Sequence, residues 1–433
     1  MNKNLKPGWS YKKLDELGFV GRGKSKHRPR NDPSLYGGKH PFIQTAEVTA
    51  SEFYIIKYSQ TYSDLGLAQS KLWDKNTLCI VNAGENTAET AILKFKACFP
   101  DSIIGFIANS EKADVRFIKY YLTTIKPQLR SITKGATQDN LSVSKLLLFD
   151  ILTPPLPIQR KIAGILLAYD RLIENNTRRI EILEEMARSI YREWFVKFRF
   201  PGHEQVQMVD SELGLIPEGW EITSIGNHIN TQKGYAFKSS WYQEQGIKIV
   251  KVSDFTDDSI DISKLVSISE EIAEQYKKHE LKANDIIIQT VGSWASNPQS
   301  VVGKVIRVPN IAAQTLLNQN AVKVIPKESI NQIFLFYSIK NERFKSYIIG
   351  CAQGAASQAS ITLDAIREFK ILLPPSSLLD FFGDFVSPMW KLINNLDDKN
   401  LNLRCTRDYL LPRLISGEID VENLDINISQ SVA

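Results

Sequence analysis

At 433 residues the chain exceeds one compact core, and about 150 residues per domain gives two or three domains. Hydrophobic content of 43% with 23% charged residues excludes a disordered chain, and a net charge of +5 leaves room for a polyanionic partner without requiring one. No run approaches about 18 apolar residues, so no membrane helix is expected.

Residues 1–7 lack the apolar core of a signal peptide. Cys79, Cys98, Cys351 and Cys405 have no Cys-x-x-Cys spacing and read as reduced thiols, and the five histidines show no metal-ligand spacing. The expected compartment is the cytoplasm.

The first landmark is Pro7-Gly8-Trp9, followed fourteen residues later by Gly23. In mid-chain, Pro217-Glu218-Gly219-Trp220 is followed by Gly234 at the same distance. A Gly-Ala-Thr-Gln stretch at 135–138 has a near match in Gly-Ala-Ala-Ser-Gln at 354–358, and apolar runs then end in Pro154-Pro155 and Pro374-Pro375. Four matched landmarks in one order indicate a tandem duplication.

Between the landmarks each copy reads as mixed α+β. Strands are expected at 41–44, 77–81, 247–250 and 285–288, and helices at 115–125 and 333–346. After each Pro-Pro a helical pattern runs for about 35–40 residues, or about 55 Å. The first stripe takes Ile162, Ile165, Tyr169, Leu172, Asn176, Leu183 and Ile190. About 220 residues later come Phe382, Phe385, Met389, Leu392, Leu396, Leu403 and Leu410. Steps of three and four suit a coiled-coil seam, and the two stripes most simply pack on each other, antiparallel. Asn176 is expected to lie in that seam without a polar equivalent at Leu396, Pro412 to end or kink the second helix, and Gly417 to stop it. The boundaries are 1–153, 154–204, 205–373, 374–418 and a tail at 419–433.

A basic cluster at 22–30 includes Lys24, Lys26 and Arg28, and its counterpart holds Lys233, Tyr235 and Lys238. Glycine lets backbone approach a phosphate there. The stretch 18–25 satisfies G-x-x-x-x-G-K-[ST], yet 11–16 is a poor buried strand and Pro29 and Pro33 oppose a following helix, so a phosphate loop is rejected. Neither an Asn-Pro-Pro-aromatic methyltransferase motif nor a Gly-x-Ser-x-Gly elbow is present. A nucleotide-hydrolysing enzyme and a coiled-coil adaptor without nucleic acid remain the alternatives.

Taken together, the landmarks resemble the specificity (S) subunit of type I restriction–modification enzymes. The most family-like stretch is 154–162, followed by Leu172-Ile173-Glu174-Asn175-Asn176; the second copy departs from it at 376–381. The resemblance implies two globular target-recognition domains separated by two long antiparallel coiled-coil helices, in a pseudo-twofold tandem repeat. It implies double-stranded DNA read at a bipartite asymmetric site, with no active site in this chain. Two methyltransferase (M) subunits using S-adenosylmethionine and restriction (R) subunits using ATP and Mg would be the partners. Contacts are expected from Lys24, Lys26, Arg28, Lys134 and Gln138 in the first domain. The second would use Lys233, Tyr235, Lys238, Gln289, Ser293, Ser357 and Gln358, with Lys and Arg on phosphates and Gln, Ser and Tyr at bases.

Overall fold

The computed structural model describes residues 5–133, 140–294, 301–354 and 358–425. The chain divides into two compact units, Met1–Ile173 with Asn402–Ala433, and Glu174–Leu401. Each holds a globular α+β body and one stretch of each long helix, Leu156–Tyr191 and Ser376–Ile415. Among the described residues no helix is long and apolar enough to cross a membrane.

The duplication is visible in the topology. In the first unit the strands Gly18–Arg22, Ile103–Ala108, Leu78–Val81 and Thr90–Leu93 lie side by side in that order, with Tyr54–Ile55 at the edge. In the second, Ile229–Lys233, Ala321–Pro326, Ile286–Gln289 and Val305–Arg307 repeat the order. The central strands are continuous apolar runs (Leu78-Cys79-Ile80-Val81, Ile286-Ile287-Ile288) and are buried throughout, as strands covered on both faces must be.

A smaller sheet also recurs. Tyr36–Phe42 pairs antiparallel with Gln60–Tyr62 and parallel with Ala97–Cys98. Likewise Ile247–Val250 pairs antiparallel with Val266–Ile268 and parallel with Leu316–Leu317. The strand after each Gly-Trp pairs with the strand before each Pro-Pro: Ser10–Lys12 with Ile151–Thr153, Glu221–Ser224 with Lys370–Leu373. The helix Val115–Thr124 is capped by the Asp114 side chain, and Gln332–Ile339 by Asn331. The single helix expected at 333–346 is instead two, because Asn341 caps a new helix, Glu342–Gly350.

Gln159, in the family-like stretch, is buried. Its amide donates to the carbonyls of Lys112 and Pro154 and its oxygen accepts from the Asp114 N–H. The second copy has Leu379 at that place, and there the link comes from the other side: Asn331 donates to the Leu379 carbonyl, at 2.6 Å.

Within each unit the helix segments run antiparallel. In the first unit Arg407 donates to Asp170 at 2.5 Å. In the second, Asn176 donates to Asn400 at 3.0 Å, and Trp194 stacks on Phe381 with centroids 5.4 Å apart. Asn176 therefore does have a polar partner. The residue facing it across an antiparallel seam is not its repeat mate Leu396, which is why a search by offset misses Asn400.

The seam differs from the sequence stripe in a systematic way. Ile162, Phe382 and Leu396 are buried, and Asn176, Leu183, Ile190, Leu403 and Leu410 are half-buried. Ile165, Tyr169 and Met389 are only half-buried, while Leu172, Phe385 and Leu392 are 52%, 48% and 37% exposed. The buried row passes instead through Leu166, Asp170 and Ile173, and through Val386, Trp390 and Ile393. A pattern search steps around Asp170 because it is charged, and so slides onto the neighbouring apolar row.

Pro412 does not end the second helix, which continues to Ile415 before Gly417 turns it at φ +75°. A Cβ at Gly417 would come 2.9 Å from the Trp9 ring, so the end of that helix packs on the first Gly-Trp landmark. The segment at 419–425 is tied down by buried Val421 and by Lys161 donating to the Glu422 carbonyl at 2.6 Å.

Candidate nucleic-acid interface

Glycine fixes where each candidate loop begins. A Cβ at Gly23 would lie 2.2 Å from the Pro100 carbonyl oxygen, and one at Gly234 would lie 2.0 Å from that of Asn318. Both distances are far inside contact, so any other residue must push the strand exit outward.

Beyond Gly23 the backbone is held from below. The Gln69 side-chain oxygen accepts the N–H groups of Lys26 (2.6 Å) and His27 (3.0 Å), and Ser70 donates to the Lys24 carbonyl at 2.7 Å. The cations then divide into two groups. Arg28 bonds the carbonyls of Ser25 and His27, and Arg22 and Arg30 both bind Asp101, so these arginines shape the loop. Lys24 and Lys26 are exposed and have no acidic partner among the described residues. Their ammonium groups are thus open to an anion. Arg28 is exposed too, but a phosphate would have to compete with its two carbonyls.

A second cation stands beside them. Lys71 sits 3.8 Å from the Trp73 ring centroid and 4.4 Å from that of the half-exposed Phe19, and its burial lowers its pKa. Lys71 and Trp73 lie well beyond the basic cluster in sequence, and folding brings them against Phe19, just before it.

At the matching exit of the second unit the chemistry is aromatic. Tyr235 packs on Tyr276 with centroids 4.2 Å apart, and the two hydroxyls are hydrogen-bonded at 3.2 Å. Trp241 lies 5.8 Å from Tyr276, with the exposed Lys238 ammonium 5.4 Å from the Trp241 ring. Lys233 is exposed, and its carbonyl accepts from His279 Nδ1 at 3.0 Å. Burial lowers the His279 pKa. Tyr276 is forty-one residues from Tyr235 and carries no local signal of its role.

Gln289 is a misassigned residue. It is 1% exposed in a central strand, with its amide donating to the Val291 carbonyl at 3.0 Å, so it belongs to the sheet and cannot reach a base. Its β-rich, fully apolar run (286–288) points to a covered strand rather than a reading loop. Ser293 is half-buried and bridges Val301, and Gln358 is exposed next to the antiparallel pair of Val291–Gly292 with Ala359–Ser360. Lys134, Gln138 and Ser357 lie outside the described residues. The stretch 18–25 is a strand followed by a loop, not a strand, loop and helix, so nothing there cradles a nucleotide.

A cavity of about 1140 Å³ opens in the second unit between Arg192, Phe195, Val302, Arg343 and Ile349. None of the candidate contact residues lines it.

A family model described as the type I restriction modification DNA specificity domain matches residues 6–185 and 217–383. Among curated proteins, the type I restriction enzyme MjaIX specificity subunit of Methanocaldococcus jannaschii is 26% identical, covering 96% of this chain and 94% of that protein. The MjaVIII specificity subunit of the same organism is also 26% identical, over 90% of this chain and 91% of its own. The crystal structure of a type I restriction–modification S subunit from M. genitalium superposes with a TM-score of 0.54 at 16% identity, over 96% of this chain and 97% of that one.

Proposed function

The chain belongs to the type I restriction–modification DNA specificity family, and we propose that it reads a bipartite, asymmetric DNA site with one half assigned to each unit. The observation that carries this reading is the pairing of a shared strand order with dissimilar loops. The same strand exit, forced by Gly23 and Gly234, presents free lysines in one unit and an aromatic cluster in the other. Lysines on a backbone-held loop suit phosphates, and tyrosine and tryptophan suit bases or sugar faces. The two long helices then serve as the spacer. Thirty-six residues in Leu156–Tyr191 span about 54 Å, roughly one and a half turns of B-form DNA.

Partner subunits supply the chemistry. The exposed apolar row on the long helices supports docking of two methyltransferase subunits, because it occurs twice at a constant offset. Leu172 and Leu392 are both exposed, and Ile165 and Tyr169 match Phe385 and Met389. Apolar rows that recur in both copies and stay partly exposed suit a partner helix. S-adenosylmethionine belongs on those subunits, and ATP with Mg on the restriction subunits that join them.

The test is DNA affinity of the chain assembled with its methyltransferase, measured across salt concentrations. Log affinity should fall linearly with log salt, and Lys24→Ala with Lys26→Ala should flatten the slope by about 2. An affinity indifferent to salt would instead favour an adaptor that does not bind DNA.

A further inference from the structure

The repeat places two residue pairs at equivalent positions where each globular body meets the long helices. Tyr120 lies on Val115–Thr124 and Tyr337 on Gln332–Ile339, each three residues after a buried phenylalanine, Phe117 or Phe334. Their partners, Asp170 and Trp390, are 220 residues apart on the two long helices. Both pairs are buried.

The chemistry of the two pairs is different. In the first unit the Tyr120 hydroxyl donates to the Asp170 carboxylate, whose other oxygen accepts from Arg407 at 2.5 Å. Three elements thus meet at one carboxylate: the body's helix and both long helices. Lys119, beside Tyr120, is buried with its ammonium 4.7 Å from the Phe53 ring, and Asp170 and Arg407 act on its charge with opposite sign. In the second unit the direction reverses. The Trp390 indole N–H donates to the Tyr337 hydroxyl at 3.1 Å. Phe336 replaces Lys119 and packs edge-on against Trp390 at 5.5 Å, and the Arg307 guanidinium covers the indole at 4.8 Å. Arg307 in turn binds Asn284 (2.8 Å) and Asn394 (2.9 Å).

We infer that Asp170 and Trp390 are positioning residues that dock each reading domain on its own stretch of the helix pair, so that the two domains are not interchangeable. The reason is volume and charge together. Asp at position 390 would leave the space of an indole empty beneath Phe336, Tyr337 and Arg307. Trp beside Tyr120 would crowd that site and take the counter-charge from Arg407 and Lys119. A duplicated chain needs such a distinction, because two bodies of one topology could otherwise settle on either seat.

This inference rests on the DNA-reading function proposed above, and the experiment separates the two. In the full chain, residues 7–153 are replaced by a second copy of 217–373, with position 170 left as Asp or changed by Asp170→Trp. Each is assembled with the methyltransferase, and methylation is followed on DNA carrying the second half-site twice, inverted. The Asp170→Trp chimera should methylate at least tenfold faster than the chimera retaining Asp170. In the native chain the same Asp170→Trp change should slow methylation of the native site at least tenfold. It should also broaden the spacer lengths accepted with the first half-site, while the second half-site is still required. General destabilisation would not alter spacer preference. Equal rates in the two chimeras within threefold, active or inactive, would overturn the positioning role. Failure of the native assembly to methylate any bipartite site would overturn the function itself.

Discussion

The first unit ends its edge strand in Lys24 and Lys26 on a loop clamped by Gln69 and Ser70, whereas the second ends it in Tyr235 stacked on Tyr276. The strands behind these exits have the same order and pairing, and in both a side chain from a distant segment fixes the loop's carbonyl, Ser70 in one case and His279 in the other. At these exits the divergence lies in what is presented, and the means of presenting it is kept. A scaffold that supports opposite surface chemistries at one site is suited to changing its target without refolding.

The largest expected effect comes from breaking what the units share. Gly234→Ala drives a Cβ into the Asn318 carbonyl and should cost about 3 kcal/mol by thermal unfolding, with Gly23→Ala similar. Each change should impair only its own half-site in a methylation assay; loss of both halves would mean that the units do not read separately.

The next change sharpens the difference between the loops. Tyr235→Ala should weaken DNA binding about tenfold, or about 1.4 kcal/mol, and leave the salt slope unaltered. The Lys24 and Lys26 double change should do the reverse, with a shallower slope and little change in base preference. If both act alike on slope and preference, the aromatic and cationic loops are not chemically distinct readers.

At the seam, Asn400→Leu leaves Asn176 half-buried without its partner and should cost about 1–3 kcal/mol. Replacing both by Leu should recover most of that loss, since two apolar residues need no bonds. A double variant as unstable as the single one would show that the pair does more than satisfy itself.

The last effect depends on pH. Burial lowers the Lys119 pKa to about 8, below the ordinary lysine value. Between pH 8 and about 10.5 the unfolded chain therefore binds more protons than the folded one, and stability from this group rises with pH. Lys119→Met should stabilise the chain by about 1–2 kcal/mol at pH 7, with the gain shrinking as pH climbs through that window. A gain that stays constant from pH 7 to 10.5 would contradict the origin assigned to it.

Much of the fold was legible because punctuation marks it. Gly-Trp, Pro-Pro and the glycines at strand exits are dictated by backbone geometry, and each proved to sit at a pairing or packing point. The long helices were legible as helices, yet their seam was not. Asp170 and Asn400 interrupt the apolar row with buried polar groups whose partners, Arg407 and Asn176, lie more than two hundred residues away. The candidate site was legible as a basic loop at 22–30, but Asp101, which holds Arg22 and Arg30, and Gln69, which holds the loop backbone, are brought near only by folding. Gln289 was misplaced because residue type suggested base contact while its apolar neighbours indicated a covered strand.

The most direct measurement is a domain exchange. The first globular body, residues 1–153, is replaced by that of another family member of known target, and methylated sites are sequenced from cells expressing the assembled enzyme. The expected outcome is a new first half-site with the second half-site retained. Change in both halves, or in neither, would contradict two independent readers.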